Sequence, residues 1–247
     1  MFKGKVAFVT GGSSGIGFGI CQMFLKNHAR VVLCGSTQEH ADAAVAKLLE
    51  ENPSYELTAM GFDVRDYAAM QAAVNRAVEI YGRIDIMVSN AGISGMGKFY
   101  DYTPEYFERV IGVNLFGCFN AAHTVAPVMK AQGGGVIIMT ASNTGDYGTF
   151  SGCAYPVSKA GVIGLIRNLG RELAKDNIRV VGVGPSLVES RMTAGLTPEV
   201  KAMVAANNPQ GRFVTPEEVA GIYGFLASDA AYRINAVMVP ASGGGLD

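Results

Sequence analysis

The stretch that most constrains the fold comes first: Lys5–Thr10 (KVAFVT), then GGSSGIG at 11–17, then the helical run FGICQMFLKNHA. A short β-branched strand that turns through glycines into an amphipathic helix is the opening of a βαβ unit. Gly11, Gly15 and Gly17 let the main chain come close to a pyrophosphate, with Ser13, Ser14 and Ile16 between them in the same turn. The helix that follows points its unpaired N–H groups at the same place. A second strand, Arg30–Leu33, runs on through Cys34 to Gly35-Ser36-Thr37.

The alternation persists. Helical spacing over Gln38–Glu51 leads to a strand at Glu56–Phe62 ending in Asp63-Val64, and Asp66–Tyr81 is an alanine-rich helix. Ile84–Ser89 reads as a strand, followed at once by Asn90-Ala91-Gly92. Thr103–Gln132 reads as one long helical stretch around Asn114, begun at Pro104 and bent or broken at Pro127. Gly135–Ala141, Ile178–Val183 and Ala236–Pro240 are strands, while Ala154–Asp176 and Pro216–Ser228 are helices. Strands alternating with helices require right-handed crossovers and a parallel sheet covered on both faces. The expectation is an α/β chain with seven parallel strands, one domain over 1–247, and an irregular or partly helical segment at about 186–212.

Composition agrees: 49% hydrophobic residues and 32 glycines among 247 suit a buried parallel sheet with tight turns. A net charge of −1 with both signs interspersed shows no basic face for nucleic acid. No signal peptide and no membrane-spanning apolar run are visible. Cys21, Cys34, Cys118 and Cys153 lack paired spacing and read as reduced thiols of a cytoplasmic protein. His28, His40 and His123 stand apart, so no metal site is expected.

The chemistry concentrates in SNTGDYGTFSGCAYPVSK, Ser142 to Lys159. Tyr155 and Lys159, four apart, share one helix face. A free phenol ionises near pH ~10, and an ammonium one turn away favours the phenolate. Ser142 then suits a substrate oxygen held beside the phenol. Such a set serves proton transfer to a carbonyl or from a carbinol.

With these motifs in order and spacing, the chain resembles the short-chain dehydrogenase/reductase family from Lys5 to about Gly244. The resemblance rests on Thr10-Gly11-x-x-x-Gly15-x-Gly17, Asp63-Val64, Asn90-Ala91-Gly92, Asn114, Ser142, Tyr155-x-x-x-Lys159 and Pro185. It implies a doubly wound Rossmann sheet binding NAD(P) across its carboxyl edge, and a homotetramer. It also implies Tyr155 as general acid/base and Lys159 beside it on the nicotinamide ribose. Ser142 would orient the substrate carbonyl, and Asn114 would hold a water in a proton relay. Asp63-Val64 would contact adenine, Asn90 the ribose side and Val188 the carboxamide; read from the sequence alone, Asp63 at the strand's end suits a cap for the next helix equally well. The chain departs from the family at Ser89 (an asparagine there), at Ser186 after Pro185, at Ser190, and at Asn235-Ala236 near the last strand.

Where NAD enzymes of this architecture carry an acid at the end of the second strand, this chain has Gly35. Ser36 and Thr37 offer donors to a 2′-phosphate, but no arginine accompanies them, so NADP(H) is expected over NAD(H) with modest discrimination. The segments flanking the site, Ile93–Tyr102 and Ser186–Arg212, hold few cations and several large apolar residues, including Met96, Phe99, Met192, Leu196 and Met203. They suit a free apolar ketone, such as a steroid or aryl ketone, better than an acyl-carrier thioester. Phe99, Tyr100, Tyr102, Tyr106 and Phe107 read as core and subunit packing. A non-catalytic dinucleotide sensor is the remaining alternative, and the intact Ser142, Tyr155, Lys159 and Asn114 argue against it.

Overall fold

Seven short strands form the centre of the computed structural model: β1 (Val6–Thr10), β2 (Arg30–Gly35), β3 (Leu57–Gly61), β4 (Ile86–Ser89), β5 (Gly135–Thr140), β6 (Ile178–Pro185) and β7 (Met238–Ala241). All pair in parallel, in the order β3-β2-β1-β4-β5-β6-β7. Residues 96, 150, 151, 186, 187, 189–196, 207, 246 and 247, and the side chains of 200, 203 and 204, lie outside what the structure describes.

The helices are α1 (Gly15–Lys26), α2 (Gln38–Glu51), α3 (Tyr67–Tyr81), α4 (Pro104–Ile111), α5 (Gly117–Ala131), α6 (Thr144–Tyr147), α7 (Ala154–Glu172), α8 (Pro198–Ala206) and α9 (Pro216–Ala227). Successive strand residues face opposite sides of the sheet. Ala7 and Val9 therefore pack with Ile20 and Phe24 of α1, Leu48 of α2 and Tyr223 of α9. Val6 and Phe8 pack with Met70 of α3, Val125 of α5 and Ile166 of α7. Each such side chain taken out of water contributes about 1.5–3 kcal/mol. This is the doubly wound Rossmann arrangement. Its winding reverses at β1, which pairs with both β2 and β4, so a crevice opens at the carboxyl ends of those strands.

The stretch expected as one helix over Thr103–Gln132 is instead α4, a π turn at Gly112–Phe116, and α5. The wider turn sits where Asn114 is drawn inward to the backbone of Ile93. Pro127 neither ends nor interrupts α5, because it lies one turn from the helix's end and removes a single bond there. No described helix is long and apolar enough to cross a membrane.

Candidate active site

The turn after β1 is closed by backbone proximity. Gly11 (φ 64) and Gly15 (φ 54) are left-handed, a conformation that glycine adopts without strain. A Cβ at Gly17 would run into the Gly11 carbonyl oxygen and lie 2.6 Å from Asn90 Nδ2. One at Gly11 would lie 2.8 Å from Ala91 Cα. The turn and Asn90-Ala91-Gly92 are therefore packed main chain on main chain. Thr10 Oγ1 ties them, accepting from the N–H groups of Asn90 (3.1 Å) and Ala91 (3.2 Å). Ser14 caps α1 in an extended conformation without a side-chain capping bond, and Ser13 and Ile16 are half-buried beside it. A cradle that any Cβ would fill, opening on uncapped helix N–H groups, fits a dinucleotide pyrophosphate.

At the end of β2, Gly35 is buried and Ser36 and Thr37 are exposed. Both hydroxyls are already engaged. Thr37 caps α2 by accepting from the His40 N–H (3.3 Å), and Ser36 Oγ lies 3.1 Å from His40 Nδ1. His40 thus belongs to this corner, which sequence reading missed although it sits at i+4 from Ser36. Asp63 is forked by Arg65, whose Nε lies 3.0 and 2.9 Å from its two oxygens. Arg65 holds its carboxyl below the ordinary carboxylate range. The alternative of Asp63 as the cap of α3 is corrected: that cap is Asp66, which accepts from Ala69 N–H at 3.0 Å. Val64 packs against Gly117, and its carbonyl accepts from Asn120 Nδ2 at 2.9 Å. Pro185 closes β6, and buried Val188 bridges Val214.

The expected chemical residues converge at the ends of β4 and β5. Lys159 is 3% exposed, and its Nζ donates to the Thr140 carbonyl at 2.7 Å while standing 5.5 Å from the Tyr155 ring centroid. A Cβ at Gly92 would lie 3.3 Å from Asn114 Oδ1 and 3.7 Å from Lys159 Nζ, so both flank one glycine. Asn114 Oδ1 accepts from Ile93 N–H (2.8 Å), and its Nδ2 donates to Ile93 O and Ser158 Oγ (both 3.0 Å). Ser142 Oγ accepts from Thr144 N (3.3 Å) and Thr144 Oγ1 (3.0 Å), which leaves its own hydrogen to donate elsewhere. α6 rests on α7 through Gly145, where a Cβ would lie 2.8 Å from Ala160 N. That contact fixes the Ser142 segment against the Tyr155–Lys159 helix.

The family model for short chain dehydrogenase matches residues 5–201. The chain belongs to the short-chain dehydrogenase family. It is 42% identical over 243 residues to a 3alpha-hydroxysteroid dehydrogenase of Mediterraneibacter gnavus, covering 98% of this chain and 97% of that protein. It is 36% identical over 242 residues to the 3-oxoacyl-[acyl-carrier-protein] reductase FabG of Thermotoga maritima, covering 98% of both. The solved 7 alpha-hydroxysteroid dehydrogenase complexed with NADH and 7-oxo glycochenodeoxycholic acid superposes with a TM-score of 0.92 at 30% identity, over 99% of this chain and 95% of that one. This short-chain dehydrogenase is an oxidoreductase acting on CH–OH groups, and its homologues bind NAD(P)(H).

Thr10, the first residue of the glycine motif, joins the two loops. Three further residues support the site of this short-chain dehydrogenase without having been singled out in its sequence. Thr140 anchors Lys159, and Ser158 links Asn114 to the Tyr155 carbonyl, to which it donates at 2.6 Å. Tyr223 meets Thr140 from α9. Only their positions next to motif residues or at a strand end could have flagged the first two. Burial pushes the Cys118 thiol up, while the Lys159 charge and the Ser89 hydroxyl pull the other way. Burial likewise pushes up Cys21 and Cys34.

A cavity of about 390 Å³ is lined in part by Lys98, Phe99, Cys153, Pro156 and Val157, and its described lining includes neither Tyr155 nor Ser142. Phe99 and Tyr100 are not core residues as expected. They sit on a surface 3-10 turn, and Phe99 faces this cavity. Tyr102 and Tyr106 instead donate to the Gly95 and Ser94 carbonyls, bracing the loop before that turn.

Proposed function

We propose that this short-chain dehydrogenase interconverts a fairly apolar ketone, such as a steroid or aryl ketone, and its secondary alcohol, with Tyr155 as general acid/base. The observation that carries the reading is the buried Lys159, pinned by Thr140 and aimed at the Tyr155 ring. An ammonium held there stabilises negative charge on the phenol oxygen when its proton leaves. The nicotinamide cofactor, when bound, supplies or accepts the hydride. Tyr155 then gives its proton to the substrate oxygen during reduction and takes it back during oxidation. Ser142, with its hydrogen free, donates to the same oxygen and orients it. Asn114 and Lys159, flanking Gly92, suit a water between them that returns a proton toward solvent.

The substrate class rests on the 42% identity to a hydroxysteroid dehydrogenase. Segment 186–212, much of it outside the described residues, would cover that substrate within a single domain spanning 1–247. NADP(H) is the favoured cofactor and NAD(H) the weaker one, because Gly35, Ser36 and Thr37 present no carboxylate to a 2′-phosphate. The cradle residues already placed, Gly11 to Gly17 and Asn90 to Gly92, would hold the dinucleotide. Asp63 and Val64 lie on the adenine side, and Pro185 and Val188 on the nicotinamide side. Exposed Phe116 at the end of the π turn, Phe119 on α5 and Val157 on α7, and Phe225, Tyr232 and Val237 near β7, give two apolar faces for a homotetramer. Free thiols at all four cysteines suit the cytoplasm.

A panel of steroid ketones, aryl ketones and a 3-oxoacyl thioester, run with NADPH and NADH, tests the reading. Tyr155→Phe should lower kcat by about 10²–10⁴-fold while cofactor affinity stays within about twofold. Near-normal turnover by that variant would refute the acid/base role. A thioester turned over far faster than any free ketone would replace the substrate class.

A further inference from the structure

Tyr223 is among the largest fully buried side chains, yet its hydroxyl is not idle: it lies 2.7 Å from Thr140 Oγ1. Thr140 has one hydroxyl hydrogen, and that hydrogen goes to Asn90 Oδ1 at 3.2 Å. Tyr223 must therefore be the donor and Thr140 the acceptor between them. With Oδ1 so occupied, the Asn90 amide is turned to present Nδ2 to the carbonyls of Gly11 (3.2 Å) and Thr10 (3.4 Å). A flipped amide would set oxygen against these two carbonyl oxygens. The Gly11 carbonyl in turn sits directly over Gly17, at the tightest point of the pyrophosphate cradle.

We infer that Tyr223, from α9 packed beside α1, is a positioning residue for cofactor binding: its hydroxyl orders a hydrogen-bond chain through Thr140 and Asn90 that holds the glycine turn in its binding geometry. Burial pushes the Tyr223 phenol up, which keeps it a neutral donor at working pH. The chain runs through the Thr140 side chain, whereas Lys159 is held by the Thr140 carbonyl, so the two functions of this residue are separable.

The test is titration of the free enzyme with NADPH and with NADH, followed by nicotinamide fluorescence, with no substrate present. Tyr223→Phe should weaken binding by about three- to tenfold, the worth of one hydrogen bond. Thr140→Val should do the same, while Thr140→Ser, which keeps the hydroxyl, should stay within about twofold of wild type. In the Thr140→Val background, Tyr223→Phe should add less than about twofold, since the path is already cut. A melting temperature lowered by Tyr223→Phe with unchanged affinity would make the tyrosine purely structural and overturn the inference. So would a full Tyr223→Phe effect that persists without the Thr140 hydroxyl. A wild-type protein that binds neither nucleotide would instead overturn the cofactor site itself, and this inference with it.

Discussion

Gly35→Asp probes cofactor choice and local packing at once. A Cβ at Gly35 would lie 2.9 Å from Ala41 N, 3.0 Å from Thr37 O and 3.2 Å from Ala41 Cβ. The first two are backbone atoms of the capping residue and first turn of α2, so the helix start must retreat by roughly half an ångström. Overpacking of this kind costs about 1–3 kcal/mol. For a chain of this length that lowers Tm by about 2–10 °C. The new carboxylate would also stand near the place of a 2′-phosphate. At ~5 Å and an effective dielectric of ~20, one pair of like charges repels by about 3 kcal/mol, and solvent at the exposed Ser36 screens part of it. A net 1.5–3 kcal/mol corresponds to a roughly 10–100-fold fall in the NADPH-to-NADH ratio of kcat/KM. Steady-state kinetics with both cofactors and a thermal melt of the free protein read the two effects separately. A ratio within about threefold of wild type would show that the 2′-phosphate does not bind at the end of β2. A wild-type kcat/KM clearly higher with NADH than with NADPH would refute the NADP(H) preference outright.

Ala236 holds φ 57, a left-handed conformation that favours glycine, with Gly170 packed against it; Ala236→Gly should raise stability by about 0.5–1 kcal/mol in a denaturant titration, and a loss would show that the strain is not there. Asp85 accepts from Arg83 (2.9 and 2.6 Å), Val6 N–H (3.0 Å) and Lys5 (3.2 Å), and although burial alone would raise its pKa, these bonds leave it below the ordinary carboxylate range. Asp85→Asn should therefore cost about 1–3 kcal/mol near neutrality, and the difference from wild type should vanish as pH falls from the unfolded carboxyl's pKa of ~3.9 through the lower folded one; a gap that persists below both would implicate packing instead. Light scattering at micromolar concentration should give a mass near four times 25.9 kDa, and a monomer would remove the role assigned to the two apolar faces.

The seven-strand alternation and the order of the motifs were legible because each is a local pattern. Period-two apolar runs, helical spacing, glycines at a turn and an i, i+4 Tyr155–Lys159 pair need no knowledge of the rest of the chain. The π turn around Asn114 was not legible, since its cause is a pair of hydrogen bonds to Ile93, 21 residues away. The break expected at Pro127 did not follow, because a proline removes only its own N–H bond and the rest of α5 holds the helix on to Ala131. Asp63 read equally as an adenine contact or a cap. Only the placement of Arg65 and Asp66 decided that its carboxylate is forked and that the cap lies three residues on.

Sequence alone determined the fold class, the glycine turn after β1 and the one-turn spacing of Tyr155 and Lys159, since these depend on residue type and spacing along one element. Tertiary structure decided how they are held. The carbonyl that anchors Lys159, the hydroxyl of Thr10 that joins two loops, and the Tyr223–Thr140–Asn90 chain all connect residues from different strands and helices. A hydrogen bond forms only when donor and acceptor come within about 3 Å at a suitable angle. Between residues as far apart in the chain as 140 and 223, that distance is set by the sheet register and by the packing of α9.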